Sequence, residues 1–216
     1  MTGVQTCALP ISDILISTID SALRTLHGIH HSTRESPAAG VSKPELTESE
    51  KQLSGRLMRV NHCGEICAQA LYLGQGLTSS NHETKLAMQT AADEETDHLA
   101  WCETRLDELN THKSYLNPLF YGLSFASGAL SGLLGNRFNL GFVAATEEQV
   151  VKHLNAHLEK LPENDLPSKR ILTQMRQDED RHRSLALSRG GMDFPSPIKG
   201  LMTGFSRLMT RTTYWV

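Results

Sequence analysis

Residues 91–102, AADEETDHLAWC, put Glu95 and His98 where a helix core would otherwise take apolar side chains. The stripe they interrupt runs Met88, Ala91, Glu95, His98, Cys102, Leu106 and Leu109, in steps that keep every member on one helical face. A second interrupted stripe lies downstream, with Ile171, Met175, Glu179, His182 and Ala186. The spacing Glu-x-x-His therefore occurs twice, as Glu95-Thr96-Asp97-His98 and Glu179-Asp180-Arg181-His182. A separation of three sets both side chains on one face, a turn apart. Each pair has a glutamate upstream. Glu65, grouped with Met58, Asn61, Ala68 and Tyr72, precedes Glu95 by 30 residues. Glu147, set in the stripe Leu140, Val143, Val150, Leu154, Leu158 and Leu161, precedes Glu179 by 32 residues. Those intervals suit two antiparallel helices joined by a short turn, with the acidic side chains at one height.

An ionised carboxylate in a core is costly unless it is paired or bound to metal. Four glutamates and two histidines at inward positions therefore predict a dinuclear metal centre made of Glu65, Glu95, His98, Glu147, Glu179 and His182. One Glu from each of two helices and a Glu-x-x-His from each of the other two is the ligand set of ferritin-like carboxylate bundles. Oxygen-rich ligation without thiolate favours iron or manganese over zinc or copper. Glu148 falls instead with Ala145, Lys152, Asn155 and Glu159 on a mostly polar face, so its loss should be tolerated.

The rest of the chain agrees with an all-α fold. Helices are predicted over about 47–77, 82–110, 139–161 and 167–189. Thr47 and Glu50 make a capping box, Asn81 caps the second helix, Pro167-Ser168 starts the fourth and Gly190-Gly191 stops it. No alternation of β-branched residues is long enough for a sheet. Ahead of the bundle, residues 13–46 read as an amphipathic helix (Ile14, Leu15, Ile19, Leu23, Leu26) and then a polar loop holding His27, His30 and His31. Residues 1–12, MTGVQTCALPIS, fit poorly with the rest of the chain. They read as a non-native start of the sequencing-adapter type or a disordered one, and Cys7 is set aside with them.

Two segments of the domain spanning 47–216 are unusual. Residues 114–136 carry no charge and hold Leu119, Phe120, Leu123, Leu130 and Leu133, all expected to face lipid. Their length is enough for a membrane span, which needs about 20 apolar residues, but a span would place Glu65, Glu95 and His98 across the bilayer from Glu147, Glu179 and His182. A crossover along the bundle, partly in the membrane interface, is expected instead. Residues 197–216 combine Ile198, Leu201, Met202, Phe205, Leu208 and Met209 with a basic rim of Lys199, Arg207 and Arg211.

Composition narrows the partners. The chain has 216 residues, 39% hydrophobic and 21% charged, with 21 Lys+Arg against 24 Asp+Glu, a net charge of −3 and 6% aromatics. That balance argues against nucleic acid as a partner. Four cysteines are too few for a disulfide scaffold. Cys63, Cys67 and Cys102 are expected as small core thiols in a reducing compartment.

The sequence also resembles a known family. Leu57-Met58-Arg59-Val60-Asn61-His62-Cys63-Gly64-Glu65-Ile66-Cys67-Ala68, Glu94-Glu95-Thr96-Asp97-His98-Leu99-Ala100-Trp101, Leu140-Gly141-Phe142 with Thr146-Glu147-Glu148, Asp178-Glu179-Asp180-Arg181-His182 and Met209-Thr210-Arg211-Thr212 look like segments of the bacterial demethoxyubiquinone hydroxylases. These are di-iron monooxygenases of ubiquinone biosynthesis. The resemblance covers roughly residues 13–216, and the six ligand positions match. It implies a ferritin-like four-helix bundle holding two iron ions per chain. It implies dioxygen as co-substrate and a polyprenyl benzoquinol hydroxylated at its last unsubstituted ring carbon, before a final O-methylation. It implies peripheral attachment to the cytoplasmic face of the cell membrane, with lipid and other ubiquinone-biosynthesis proteins as partners.

Within that frame Glu95 and Glu179 are expected to bridge, and Glu65 and Glu147 to be terminal. Asp178 and Glu94 are candidates to orient the histidines. His62 and His153 match family positions and are taken as structural or supporting. No Gly-x-Gly-x-x-Gly is present, so an external electron donor or the reduced substrate itself is implied. Competing readings are an iron store on the same bundle, a di-iron oxygenase acting on another substrate, and a metal-free bundle. The last leaves six buried polar groups unexplained. A rubrerythrin-type peroxidase would need paired C-x-x-C motifs, which the chain lacks.

Overall fold

The computed structural model describes residues 11–28 and 30–216. Residues 1–10, with Cys7, lie outside them, and so does the side chain of Ile14. Among the described residues seven helices run in order: α1 (Ile11–His27), α2 (Glu48–Thr78), α3 (His82–Glu108), α4 (Asn117–Leu133), α5 (Asn136–Lys160), α6 (Leu166–Ser188) and α7 (Ser196–Thr213). No strand occurs among the described residues. The all-α expectation holds. The first helix begins at Ile11 rather than at residue 13.

Local chemistry sets the ends. Thr47 accepts from the Glu50 amide while the Glu50 side chain returns to the Thr47 amide, closing the capping box. Asn81 caps α3 through the Thr84 amide. At α6 the cap is Asp165, just ahead of the Pro167-Ser168 pair, and it accepts from the Ser168 amide at 3.1 Å. Asp165 also receives Arg105 of α3 at 2.7 Å, which ties the start of α6 to α3. Gly190 takes φ +93°, a left-handed position that ends α6.

Helices α2, α3, α5 and α6 form the bundle. Its apolar floor gathers Met58, Leu106, Leu154, Ile171, Leu172 and Met175. A second apolar cluster, with Tyr72, Met88, Leu140, Val143 and Ala186, closes the other end. The glutamates and histidines lie between these layers, so each bundle helix carries apolar residues above and below its acidic positions.

Helix α4 crosses back along α2 at very short range. A Cβ at Gly74 or Gly128 would collide with main-chain oxygens of the facing helix, Phe125 and Leu71 respectively, and one at Gly132 would meet Thr78. Those glycines let two backbones touch. This close seating corrects one expectation: Phe120 faces inward at 4% exposed, edge-on to Phe205, rather than outward. Leu119, Leu123, Leu130 and Leu133 are exposed, as are Leu201 and Leu208 of α7. Among the described residues no helix is long and apolar enough to cross a membrane. Lys199 departs from the expected basic rim, because Glu148 and Asp193 hold its ammonium at 2.9 and 2.7 Å. Arg207 and Arg211 remain exposed.

Candidate metal centre

The four bundle helices bring all six sequence-selected residues together. Glu65, Glu95, His98 and Glu179 each offer a ligand atom within 4.8 Å of the others, and Glu147, Glu179 and His182 do the same. Every one is buried. Glu148, its neighbour Glu147 notwithstanding, points outward and pairs with Lys152 at 2.6 Å.

The two Glu-x-x-His glutamates straddle the site. Glu95 sets one oxygen 2.9 Å from His98 Nδ1 and the other 3.5 Å from His182 Nδ1. Glu179 mirrors it, at 3.1 Å from His182 Nδ1 and 3.1 Å from His98 Nδ1. Each carboxylate thus spans both histidines, the arrangement a bridging ligand needs. Glu65 lies at one end, 3.4 Å from His98 Nδ1. Glu147 lies at the other, and its Oε1 accepts from the Tyr72 hydroxyl. Burial and the Glu147 charge push the Tyr72 phenol far up, so it stays a donor.

The outer nitrogens of the histidines are spoken for. His98 Nε2 lies 3.0 Å from Asp178, and His182 Nε2 lies 2.6 Å from Glu94. Each orienting carboxylate sits on the opposite helix, one residue before that helix's own glutamate. The pairing leaves both Nδ1 atoms facing the carboxylate cluster.

Sequence reasoning missed Arg34. The loop of residues 28–46 was expected to be a bland polar connection, yet Arg34 Nε meets Asp97 at 2.5 Å and Nη1 meets Asp178 at 2.9 Å. Its guanidinium also lies 4.8 Å from the Trp101 ring centre. Asp97 takes the Thr33 amide as well, at 2.7 Å. No periodicity marks a loop arginine that acts 144 residues away along the chain. His30 also has a partner, with Nδ1 2.8 Å from Glu103. His62 lies 3.4 Å from the same glutamate, a structural contact.

The donor set fits metal. Burial pushes Glu65 and Glu147 well above the usual carboxylate range, and the charges of Glu95 and Glu179 add to the rise. Four carboxylates buried together cannot all carry charge without cations beside them. Glu95 Oε1, Glu147 Oε2 and Glu179 Oε1 are buried and make no hydrogen bond, so each has lone pairs to give a cation. Cys63 and Cys102 are buried in apolar clusters and Cys67 is partly buried, all three as free thiols apart from the ligand set.

An apolar cavity of about 430 Å³ lies beside the centre, between α2, α4, α5 and α7. Ala68 and Thr146, each within a turn of an end glutamate, form part of its inner wall; Leu201 and Phe205 form part of the outer one. His153 also lines it, kept neutral because burial pulls its pKa down to about 4.

Residues 52–213 match the family model described as ubiquinone biosynthesis protein COQ7. The chain is 52% identical over 205 residues to a 3-demethoxyubiquinol 3-hydroxylase of Nitrosococcus oceani, covering 94% of this chain and 96% of that protein. It is 54% identical over 203 residues to the protein of that name from Ectopseudomonas mendocina, covering 94% of each. The Azotobacter vinelandii protein of the same name is 52% identical over 204 residues, covering 94% of this chain and 95% of its own.

Proposed function

The chain belongs to the ubiquinone biosynthesis COQ7 family, and from that premise we propose that it hydroxylates the ring of a polyprenyl demethoxyubiquinol at two iron ions held by its six buried ligands. The observation that carries the reading is the doubled, straddling arrangement of Glu95 and Glu179 between His98 and His182. Glu65 and His98 would hold one ion, Glu147 and His182 the other, with Glu95 and Glu179 between them. Bound there, the iron pair supplies dioxygen activation, so that one oxygen atom replaces a ring hydrogen as hydroxyl and the other leaves as water. An external donor supplies the two electrons.

The protein's own contribution is placement and exclusion. Asp178 and Glu94 hold the histidines in one tautomer. The apolar cavity admits a substituted ring and keeps bulk water from it, while neutral His153 gives the ring oxygens one polar neighbour. A strain lacking this protein should accumulate a quinone short of one methoxy group and recover ubiquinone when the gene returns. An unchanged quinone pool would contradict the substrate.

On the same reading the protein sits on the cytoplasmic face of the cell membrane. Leucines of α4 and α7 are exposed, Leu201 of α7 lines the cavity, and Arg207 and Arg211 are exposed on α7 for anionic headgroups. A quinol could then slide its ring to the centre while its tail stays in lipid. The purified chain should float with vesicles containing phosphatidylglycerol, and alkaline carbonate should release it from membranes. A Leu201→Asp, Leu208→Asp double variant should float poorly. No vesicle binding by the parent chain would contradict the membrane reading.

A further inference from the structure

The halves of the bundle repeat, so each residue of the centre has a counterpart. Glu65 of α2 corresponds to Glu147 of α5. Seven residues on, two helical turns, stand Tyr72 and Leu154. Both are buried. Tyr72 reaches across to the other half, where its hydroxyl donates to Glu147 Oε1. Leu154 packs in the apolar cluster with Cys102 and Met175 and has no hydrogen bond to offer. At this pair of positions the repeat is broken: one half presents a phenol hydroxyl to the other half's glutamate, and the other half presents only hydrocarbon.

We propose that Tyr72 is a positioning residue that holds Glu147 to monodentate ligation and so makes the two metal positions inequivalent. Its hydroxyl occupies Oε1. Oε2, buried and without a partner, is left as the one ligating oxygen. Leu154 sets no such donor against Glu65, whose Oε2 lies 3.4 Å from the ligand nitrogen His98 Nδ1, so no hydroxyl competes with the ion for either oxygen from that position. The position beside Glu147 and His182 then has one protein donor atom fewer, which makes it the end where an exchangeable molecule binds. This inference rests on the dinuclear reading of the cluster and adds to it an order between the two positions.

Cobalt(II) tests it without turnover, because five-coordinate cobalt absorbs visible light more strongly than six-coordinate cobalt. The full chain is titrated with cobalt alone, as parent, as Tyr72→Phe and as Leu154→Met. Phenylalanine keeps the ring and removes only the donor, and circular dichroism confirms the fold. In Tyr72→Phe, Glu147 is free to become bidentate. The visible absorbance of one ion should fall and that of the other should stay, and one of the two binding steps should shift by about 10–100-fold. Leu154→Met should match the parent. A parent that binds two cobalt ions, with a folded Tyr72→Phe giving the same spectrum and the same two steps, would overturn this inference alone. A parent that binds fewer than two would overturn the dinuclear reading and this inference with it.

Discussion

Glu147→Ala should lose one metal position and fall to background hydroxylase activity, while Glu148→Ala should stay close to the parent. The two residues are adjacent, of one type and on one helix, so only the direction of the side chain separates them. Glu147 is 1% exposed and carries a buried oxygen without a partner. Glu148 lies outside, bound to Lys152 and Lys199. Removing Glu147 leaves His182 and the straddling carboxylates one ligand short, and also strands the Tyr72 hydroxyl. Removing Glu148 costs two partly exposed ion pairs, each worth about 0–1 kcal/mol. Iron content and turnover of both variants, measured on folded protein, check the contrast. Equal losses would mean that the inward face of α5 has been misassigned.

Asp178→Ala should produce the next largest effect. His98 Nε2 would lose its acceptor 3.0 Å away, and Arg34 would lose one of its two anchors. The imidazole could then turn or carry its proton on the wrong nitrogen. Losses of this kind cost about 10–100-fold in metal affinity. Asp178→Asn should recover part of the loss, because the amide oxygen can still accept from Nε2 while the charge is gone. Metal affinity by competition with a chromophoric chelator distinguishes the three proteins. An affinity unchanged in Asp178→Ala would show that His98 is oriented by its packing against Trp101 instead.

Much of this was legible in the chain because helical periodicity exposes what does not belong. Glu147 in a row of leucines and valines declares a buried charge, and matched intervals between such charges declare a shared site. The capping residues Thr47 and Asn81 were legible for a similar local reason. Arg34 was not, since an irregular loop has no period to violate and its partners are set by tertiary packing. Phe120 was misread because an uncharged helix shows no polar face from which to infer the buried one. The Gly74 and Gly128 contacts, not hydropathy, decide which side of α4 meets α2. Lys199 looked like part of a basic rim until Asp193 and Glu148 folded beside it. The Tyr72 hydroxyl stood in the same stripe as Glu65, yet its acceptor lies 75 residues on, across the bundle.

The most direct test is the iron content of the folded chain after anaerobic loading with ferrous ion and removal of the excess, with Mössbauer spectroscopy of the product. The six buried ligands predict about two ferrous ions per chain, in oxygen- and nitrogen-rich coordination, coupled to each other once oxidised. A chain that retains no iron, or a single uncoupled ion, would contradict the dinuclear centre on which the proposed hydroxylation depends.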